Sequence, residues 1–392
     1  MSFSDKIDEW IQEAETRPGS VLMILKLVAN RLRDLTTRNE ELLAENIALQ
    51  DGTRVQDYQK RVAHLEYQLD LLKRRLSGDE HALLELPDET AAPVLLVYNA
   101  RGRILRLDVA PGLESLGQLD GELHVDGELP RLLCVPPHAE LLLLFTSGRI
   151  ATLAVDNLPA SLPGDAWTWE QAALPDEPHA GERLACLMPL SRLALADYFL
   201  QASRRGCVKK TLVSMAQSVL DNHYLGRGTP QKTDQAFDAL LCNKQDHFAL
   251  VTYEGRLLGL DVDALSYAAE QRLRLDTTDY VIASFVPASD RWLLCLTQNA
   301  KVIQREASFL ELARTAATHG QALIPPSRLD QGTRFVGAAS VRDADRIVVL
   351  AAGGRLTLHP AGAVAGAGSV PGATTVLALG VLPAADGMPS RS

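Results

Sequence analysis

Arg204-Arg-Gly-Cys-Val-Lys-Lys-Thr211 is the stretch from which the organisation of this chain can be worked out. An apolar run enters it, a glycine makes a turn and a basic run leaves, as in a β-hairpin. Five other stretches have the same shape: Asn99–Arg103, Thr146–Arg149, Tyr253–Arg256, Gln298–Lys301 and Ala352–Arg355. The six stretches are spaced by about 45 to 60 residues, which is typical of a repeat architecture.

Each hairpin is accompanied by a short apolar strand that carries a small residue. These strands are 132–135, 184–187, 239–242, 281–286, 336–341 and 377–382. The first hairpin (93–109) has no such strand before it, and the last such strand has no hairpin after it. We therefore expect a closed ring in which the C-terminal strand pairs beside the first hairpin, because closure removes exposed sheet edges.

The pattern thus predicts a mainly β, six-bladed propeller or pinwheel over residues 92–383, followed by a disordered tail at 384–392. Small residues share one position of the repeat, where we expect strands to crowd together: Cys134, Cys186, Cys242, Ser284, Ser340 and Gly380. The five cysteines show no CxxC spacing, so we expect buried free thiols rather than disulfides or a zinc site. Cys207, at a hairpin tip, is the thiol that we expect to be exposed.

Helical patterns precede the β repeats. Residues 1–19 are typical of a short amphipathic helix, and residues 20–78 show the four-and-three spacing of a coiled-coil seam. Asn39 and Asn46 occupy seam positions, and a buried Asn there favours a parallel dimer, so we expect a homodimer. After Asp51-Gly52 the seam resumes in a shifted frame, which leaves one long rod with a stutter and a helical hairpin as open alternatives.

Charge is distributed unevenly along the chain. The formal net charge is −10, which argues against indiscriminate coating of nucleic acid. Residues 87–198 hold 7 basic and 16 acidic side chains, whereas residues 199–360 hold 19 basic and 16 acidic ones. We therefore expect any polyanion-binding face to lie in the later repeats.

The motifs of common enzyme classes are missing. None of the nine His lies in an HxxxH or HExxH pattern, and the sequence contains neither GxSxG nor a Walker-type GxxxxGK[ST]. We expect no catalytic residue, no cofactor and no metal. The N-terminus has no charged-then-apolar signal segment, and no apolar run approaches about 18 residues, so we expect a cytoplasmic protein that does not enter a membrane.

The hairpin repeat resembles the C-terminal domain of DNA gyrase A and of its counterpart in topoisomerase IV. The similarity lies in RRGCVKKT (204–211), with YEGRLLG (253–259) and SGRIATL (147–153) as weaker matches, and ARTAATHGQALI (313–324) in the place of a loop between blades. It covers about residues 92–383. The glutamine-arginine-arginine-glycine-rich box of gyrase is absent, as is the breakage-and-rejoining domain that carries the catalytic tyrosine.

The resemblance implies a six-bladed pinwheel that bends duplex DNA around a basic rim. The rim residues that it implies are Arg103, Arg149, Lys209, Arg256, Lys301 and Arg355, with Arg106, Arg204, Arg205 and Lys210 beside them. Our first hypothesis is a dimeric, non-catalytic DNA-binding protein, associated with the bacterial nucleoid. The alternative is a protein-interaction scaffold that uses the propeller face and the coiled coil, with a topoisomerase or a chromosome-organising protein as partner, and without direct DNA binding.

Overall fold

The structure is a computed structural model that describes residues 93–109, 112–313 and 317–384, together with seven single residues between Val21 and Arg38. Those seven residues are helical. The rest of the predicted N-terminal helix (1–19) and coiled coil (20–78), and the predicted tail beyond Ala384, lie outside the described residues. The chain divides after Leu86 into two units, and the second unit is described below.

The second unit is built from short β-strands and three short α-helices. In chain order the strands are β1 (Val94–Tyr98), β2 (Ile104–Asp108), β3 (Ser115–Leu119), β4 (Arg131–Val135), β5 (Glu140–Phe145), β6 (Ile150–Ala154), β7 (Ala160–Ser161), β8 (Ala166–Trp167), β9 (Leu184–Pro189), β10 (Tyr198–Ser203), β11 (Cys207–Leu212), β12 (Ala236–Cys242), β13 (His247–Thr252), β14 (Arg256–Asp261), β15 (Glu270–Gln271), β16 (Val281–Phe285), β17 (Trp292–Thr297), β18 (Val302–Glu306), β19 (Gln321–Ala322), β20 (Phe335–Val341), β21 (Arg346–Ala351), β22 (Arg355–Pro360) and β23 (Val376–Leu382). The helices are α1 (Ala216–Asp221), α2 (Pro326–Asp330) and α3 (Ala361–Ala367).

Six similar sheets, which we call blades 1 to 6, repeat along the chain. In each blade a β-hairpin is followed by a third strand that pairs with the first strand of that hairpin. We call this third strand the inner strand, since all six of them line a cavity on the axis of the ring. The hairpins and inner strands are β1–β2 with β4, β5–β6 with β9, β10–β11 with β12, β13–β14 with β16, β17–β18 with β20, and β21–β22 with β23. The six-bladed arrangement expected from the sequence is confirmed.

The way in which the ring closes differs from the expectation. The sequence predicts that the C-terminal strand pairs beside the first hairpin. In the structure this strand, β23, pairs with β21 of the last hairpin, with Gly380 opposite Val348. Every inner strand follows its own hairpin along the chain instead of preceding it. Blades 6 and 1 are joined instead through β3, which pairs with β22 so that Gln118 lies opposite Arg355.

Each blade receives its outer edge from the blade that follows it. The chain leaves a hairpin, pairs with the second hairpin strand of the preceding blade, and returns as the inner strand of its own blade. Blades 1, 3, 4 and 6 are completed in this way by β7, β15, β19 and β3. In blades 2 and 5 a single bridge takes the place of the edge strand, between Arg149 and Tyr224 and between Lys301 and Ser369.

The apolar core lies between blades rather than within them. Six clusters of buried side chains fill the six junctions between neighbouring blades, including the junction of blades 6 and 1. In β1, Leu95 and Val97 pack towards blade 6, whereas Val94, Leu96 and Tyr98 pack towards blade 2. Because side chains alternate along a strand and both faces are buried, the first hairpin strands read as continuous apolar runs.

Small residues allow neighbouring inner strands to approach closely, although they do not share one register position as predicted. A Cβ at Gly380 would lie 2.9 Å from Cβ of Leu132 in blade 1, and a Cβ at Gly337 would lie 2.6 Å from Cβ of Leu379. All five cysteines are free, and burial raises the pKa of the Cys242 and Cys295 thiols to about 12. The expectation that Cys207 is exposed is wrong, because its side chain is 0% exposed.

We predict that Gly380→Ala destabilises the disc by about 1–3 kcal/mol, since the added methyl group would overpack the junction of blades 6 and 1. The matched control is Gly366→Ala, at an exposed position of α3 where a Cβ meets nothing within 4 Å. That change should be neutral or stabilise by about 0.5–1 kcal/mol, because Ala favours a helix over Gly. The midpoint of urea unfolding measures both effects, and equal midpoints would contradict the proposed close packing.

Candidate nucleic-acid interface

The six hairpin turns share one backbone geometry. Each contains a residue with positive φ, between 58° and 93°, whose N–H donates to the carbonyl three residues earlier at 2.9–3.1 Å. These residues are Gly102, Gly148, Gly206, Gly255, Ala300 and Gly354. Glycine adopts this conformation without the cost that a Cβ imposes, which explains why five of the six are glycine.

All six turns lie on one face of the disc, which we call the turn face. The turn of each blade is hydrogen-bonded to the start of the inner strand of the following blade. Examples are the bonds from Val281 N–H to Arg204 O (2.9 Å) and from Phe335 N–H to Tyr253 O (2.9 Å). The opposite face, which we call the loop face, carries the links from each inner strand to the next hairpin. The basic residues of the turns are therefore gathered on one side of the molecule.

The residue after each positive-φ residue occupies an equivalent position in every blade, and we call this set the turn column. It consists of Arg103, Arg149, Cys207, Arg256, Lys301 and Arg355. The member from blade 3 is thus Cys207 rather than the predicted Lys209. Lys209 lies two residues further along β11, and its Nζ donates to Leu225 O at 3.4 Å. Burial lowers the pKa of Lys209.

Among the described residues, the turn column of blades 1 to 3 offers little available charge. Arg149 forms ion pairs with Asp176 and with Glu182 (2.9 Å), and its guanidinium lies over the Phe145 ring. Arg103 donates to Ala172 O at 3.2 Å. The third member, Cys207, carries no charge. In this half of the column Arg149 is thus neutralised by carboxylates, whereas Arg103 keeps its charge but has one donor occupied by a carbonyl.

Other basic residues predicted at the rim also make intramolecular contacts. Lys210 is 3% exposed, and its Nζ donates to Val262 O (3.1 Å) and Asp263 O (2.8 Å). Arg205 donates to Leu275 O and to two further main-chain carbonyls. Arg106 donates to a carbonyl of the neighbouring blade and pairs with a carboxylate on its own strand.

The turn column of blades 4 to 6 differs from that of the first three blades. Lys301 and Arg355 are exposed and Arg256 is half-buried. Within the part of the chain that the structure describes, none of the three side chains forms an ion pair or a side-chain hydrogen bond. Their partners across the sheet edge, Ala322, Ser369 and Gln118, are uncharged. Three consecutive blades thus present one available cation each.

The adjoining sector of the turn face, which begins at the edge of blade 6, is acidic. The segments beside blades 6, 1 and 2 carry exposed carboxylates at Asp120, Glu122, Asp165, Glu170 and Glu177. The segment after β6 also packs through Trp167, which is buried between blades 1 and 6. Exposed carboxylates therefore predominate beside blades 1 and 2 and extend to the edge of blade 6, next to Arg355.

Arg204, predicted at the rim, lies instead at the mouth of the axial cavity. Its Nη2 is 2.8 Å from Oε2 of Glu128, and its guanidinium lies over the rings of Phe237 (5.0 Å) and Tyr280 (4.3 Å). Arg183 approaches the other Glu128 oxygen at 3.9 Å. Burial lowers the pKa of Arg204, and the Glu128 carboxylate opposes this effect.

A second ion pair lies at the same mouth. Arg131 lies 3.1 Å from Asp238 and also donates to main-chain carbonyls of blades 2 and 3. Asp238 in turn accepts a hydrogen bond from Ser284 Oγ at 2.9 Å, so these contacts link four inner strands. Sequence reasoning missed these residues; the only available signal was that Arg131 and Arg183 directly precede or begin apolar inner strands.

The fold defines a class of protein, the six-bladed β-pinwheel, and solved structures of the same class can be compared with it. Among solved structures, that of the DNA gyrase A C-terminal domain matches with a TM-score of 0.55 and 11% identity, over 74% of this chain and 99% of that chain. The C-terminal domain of DNA topoisomerase IV gives 0.47 and 18% identity, over 74% and 94% of the two chains. The E. coli ParC C-terminal domain gives 0.34 and 12% identity, over 74% and 98%. No protein-family model and no curated protein matches the chain.

The likeness to the gyrase A domain shows the fold alone. In the described residues no group of three or more His, Cys, Asp or Glu side chains is placed to hold a metal ion. No described helix is long and apolar enough to cross a membrane. The candidate nucleic-acid interface is the cationic sector of the turn column, formed by Arg256, Lys301 and Arg355.

We predict that Arg149→Ala lowers stability by about 1–3 kcal/mol, because it leaves Glu182, which is 4% exposed, without its cation. Arg355→Ala removes an exposed side chain that has no partner among the described residues, and it should change stability by less than about 0.5 kcal/mol. Thermal unfolding midpoints of the two variants test the distinction between a structural and an available cation. Similar losses in both would contradict it.

Proposed function

We propose that this chain is a non-catalytic DNA-binding protein that holds duplex DNA on the turn face of blades 4 to 6. The observation that supports the proposal is the set of three cations, Arg256, Lys301 and Arg355, at equivalent positions of consecutive blades. Cations without an internal partner can neutralise phosphates and release the counterions of DNA. One such charge per blade along an arc matches a bent backbone better than it matches base edges.

The binding that we propose is sequence-independent and limited in extent. Contacts to phosphates position DNA without reading its sequence. The exposed carboxylates beside blades 6, 1 and 2 repel phosphate, so DNA that follows the cationic arc should leave the disc where the acidic sector begins. We therefore propose holding or partial bending of DNA rather than a full wrap. The likeness to the gyrase A C-terminal domain fold accords with this role.

The test measures binding of a fluorescently labelled DNA duplex to the full chain by fluorescence anisotropy at several salt concentrations. Combined Arg256→Gln, Lys301→Gln and Arg355→Gln should weaken binding at low salt by at least about tenfold and reduce the slope of log K against log salt by about 2–3, since each lost phosphate contact removes roughly 0.9. Such a loss requires that the three cations lie within reach of the same DNA.

The matched control removes the same charge from the loop face. Arg192→Gln, Lys244→Gln and Arg342→Gln lie on links between inner strands and the next hairpins, and they should leave the slope within about 0.5 of the unmodified protein. Equal effects of the two triple variants would show that DNA binding depends only on the net charge of the protein, and would contradict the proposed site. No binding of the full chain at low salt would contradict the function and favour the protein-scaffold alternative.

We further propose that the coiled coil joins two such chains, which would strengthen weak DNA binding through avidity. Leu42 lies on the predicted seam and Ala44 lies off it. Leu42→Asp should shift the full chain from dimer to monomer at micromolar concentration, whereas Ala44→Asp should not, because only the first places a charge in an apolar interface. Light scattering on a size-exclusion column measures the mass, and a monomeric unmodified chain would contradict the dimer.

A further inference from the structure

The axial cavity is large, and its walls are more apolar than polar. Its volume is about 780 Å³, and it is lined by the inner strands of all six blades. Half-buried side chains form much of the wall: Leu132, Leu240, Ile282, Val336, Leu377 and Leu379. Apolar side chains left against water lose the free energy that burial would provide. A cavity of this volume and character is typical of a site for a small organic ligand.

The mouth of the cavity on the turn face is cationic. Glu128 is the carboxylate shared by Arg204 and Arg183, whereas Arg131 has Asp238 as a separate partner. The local balance of these groups is therefore positive. The rings of Phe237 and Tyr280 hold the Arg204 guanidinium in place, and its Nη2 donor is already directed at a carboxylate, that of Glu128.

Glu128 is held at this mouth by a tight turn rather than by a blade. Val125 and Glu128 exchange main-chain hydrogen bonds at 2.9 and 3.0 Å around Asp126-Gly127, both of which have positive φ. This turn belongs to the link between β3 and β4. The ion pairs of Glu128 are partly exposed, with 26% of its side chain accessible. An external anion that reaches this opening would offer the guanidinium donors the same kind of charge-assisted hydrogen bond, so it can compete with this carboxylate.

We propose that the axial cavity binds a small amphipathic anion, with a carboxylate or phosphate head on an apolar body. The head replaces Glu128 between Arg204 and Arg183, where the forked guanidinium donors fit either kind of oxygen pair. The body lies along the apolar walls of the inner strands and removes them from water. Glu128 thus acts as a tethered competitor. This inference is independent of DNA binding.

The probes are octanoate and octyl phosphate, which carry the two kinds of head on straight alkyl chains of nearly equal length. Octan-1-ol and acetate are the body-only and head-only controls. Isothermal titration of the full chain should show binding of at least one anionic probe. Both controls should bind at least about tenfold more weakly, because each lacks one half of the interaction. Binding of octan-1-ol as tight as that of the anions, or no binding of either anion, would overturn the proposal.

Two substitutions should act in opposite directions. Glu128→Gln removes the competing carboxylate and should tighten binding severalfold, whereas Arg204→Gln should weaken it by at least about tenfold. The matched control is Glu122→Gln, on the same link and with the same charge change, which should leave affinity unchanged. If Arg204→Gln does not fold, Arg183→Gln gives the same readout from a side chain that is 40% exposed.

Tightening by Glu122→Gln equal to that by Glu128→Gln would show a general charge effect and overturn the assignment of Glu128. Unchanged affinity in Glu128→Gln would overturn it as well. DNA binding by the Glu128, Arg204 and Arg183 variants should match that of the unmodified chain, since none of these three substitutions touches the turn column. The turn-column variants should lose DNA binding and keep octanoate binding, whereas Arg204→Gln should lose octanoate binding and keep DNA binding. The two proposals can therefore fail independently.

Discussion

Backbone hydrogen bonds between each hairpin and the segment that leaves the next hairpin hold this disc together. Leu119 N–H donates to Gly354 O at 2.8 Å where blade 1 completes blade 6, and Val302 N–H donates to Gly368 O at 3.0 Å where blade 6 completes blade 5. Without these bonds each blade would present an unpaired edge. The same pairing fixes the turn column, because the column residue lies where the borrowed segment meets the hairpin.

The surroundings of each turn decide whether its column residue keeps an available charge. Arg149 meets the insert after β6, which brings Asp176 and Glu182 to its guanidinium. Lys301 and Arg355 meet Ser369 and Gln118, which cannot neutralise them. One repeated backbone geometry therefore supports two electrostatic outcomes, and the acidic and basic halves of the chain become two sectors of one face.

The number of blades could be predicted from the sequence because both faces of each hairpin are buried and every turn needs a residue with positive φ. Strand pairing could not, since apolar strands of similar length lie on both sides of each hairpin. The rim prediction failed at Lys209 because the turn geometry places Cys207 in the column. Contacts between distant residues, such as Arg204 with Glu128 across 76 positions, leave no local pattern in the chain.

The position of β3 has a consequence for synthesis of the protein. Its partner β22 lies about 240 residues further along the chain, so β3 leaves the ribosome long before the strand that covers it. During that interval β3 has unpaired main-chain donors and acceptors, which can pair with another chain. Blades 2 to 5 can dock as they emerge, but the ring can become complete only when the sixth hairpin is available. Elongation rate and nascent-chain crowding should therefore influence the yield of closed discs more than the stability of any single blade does.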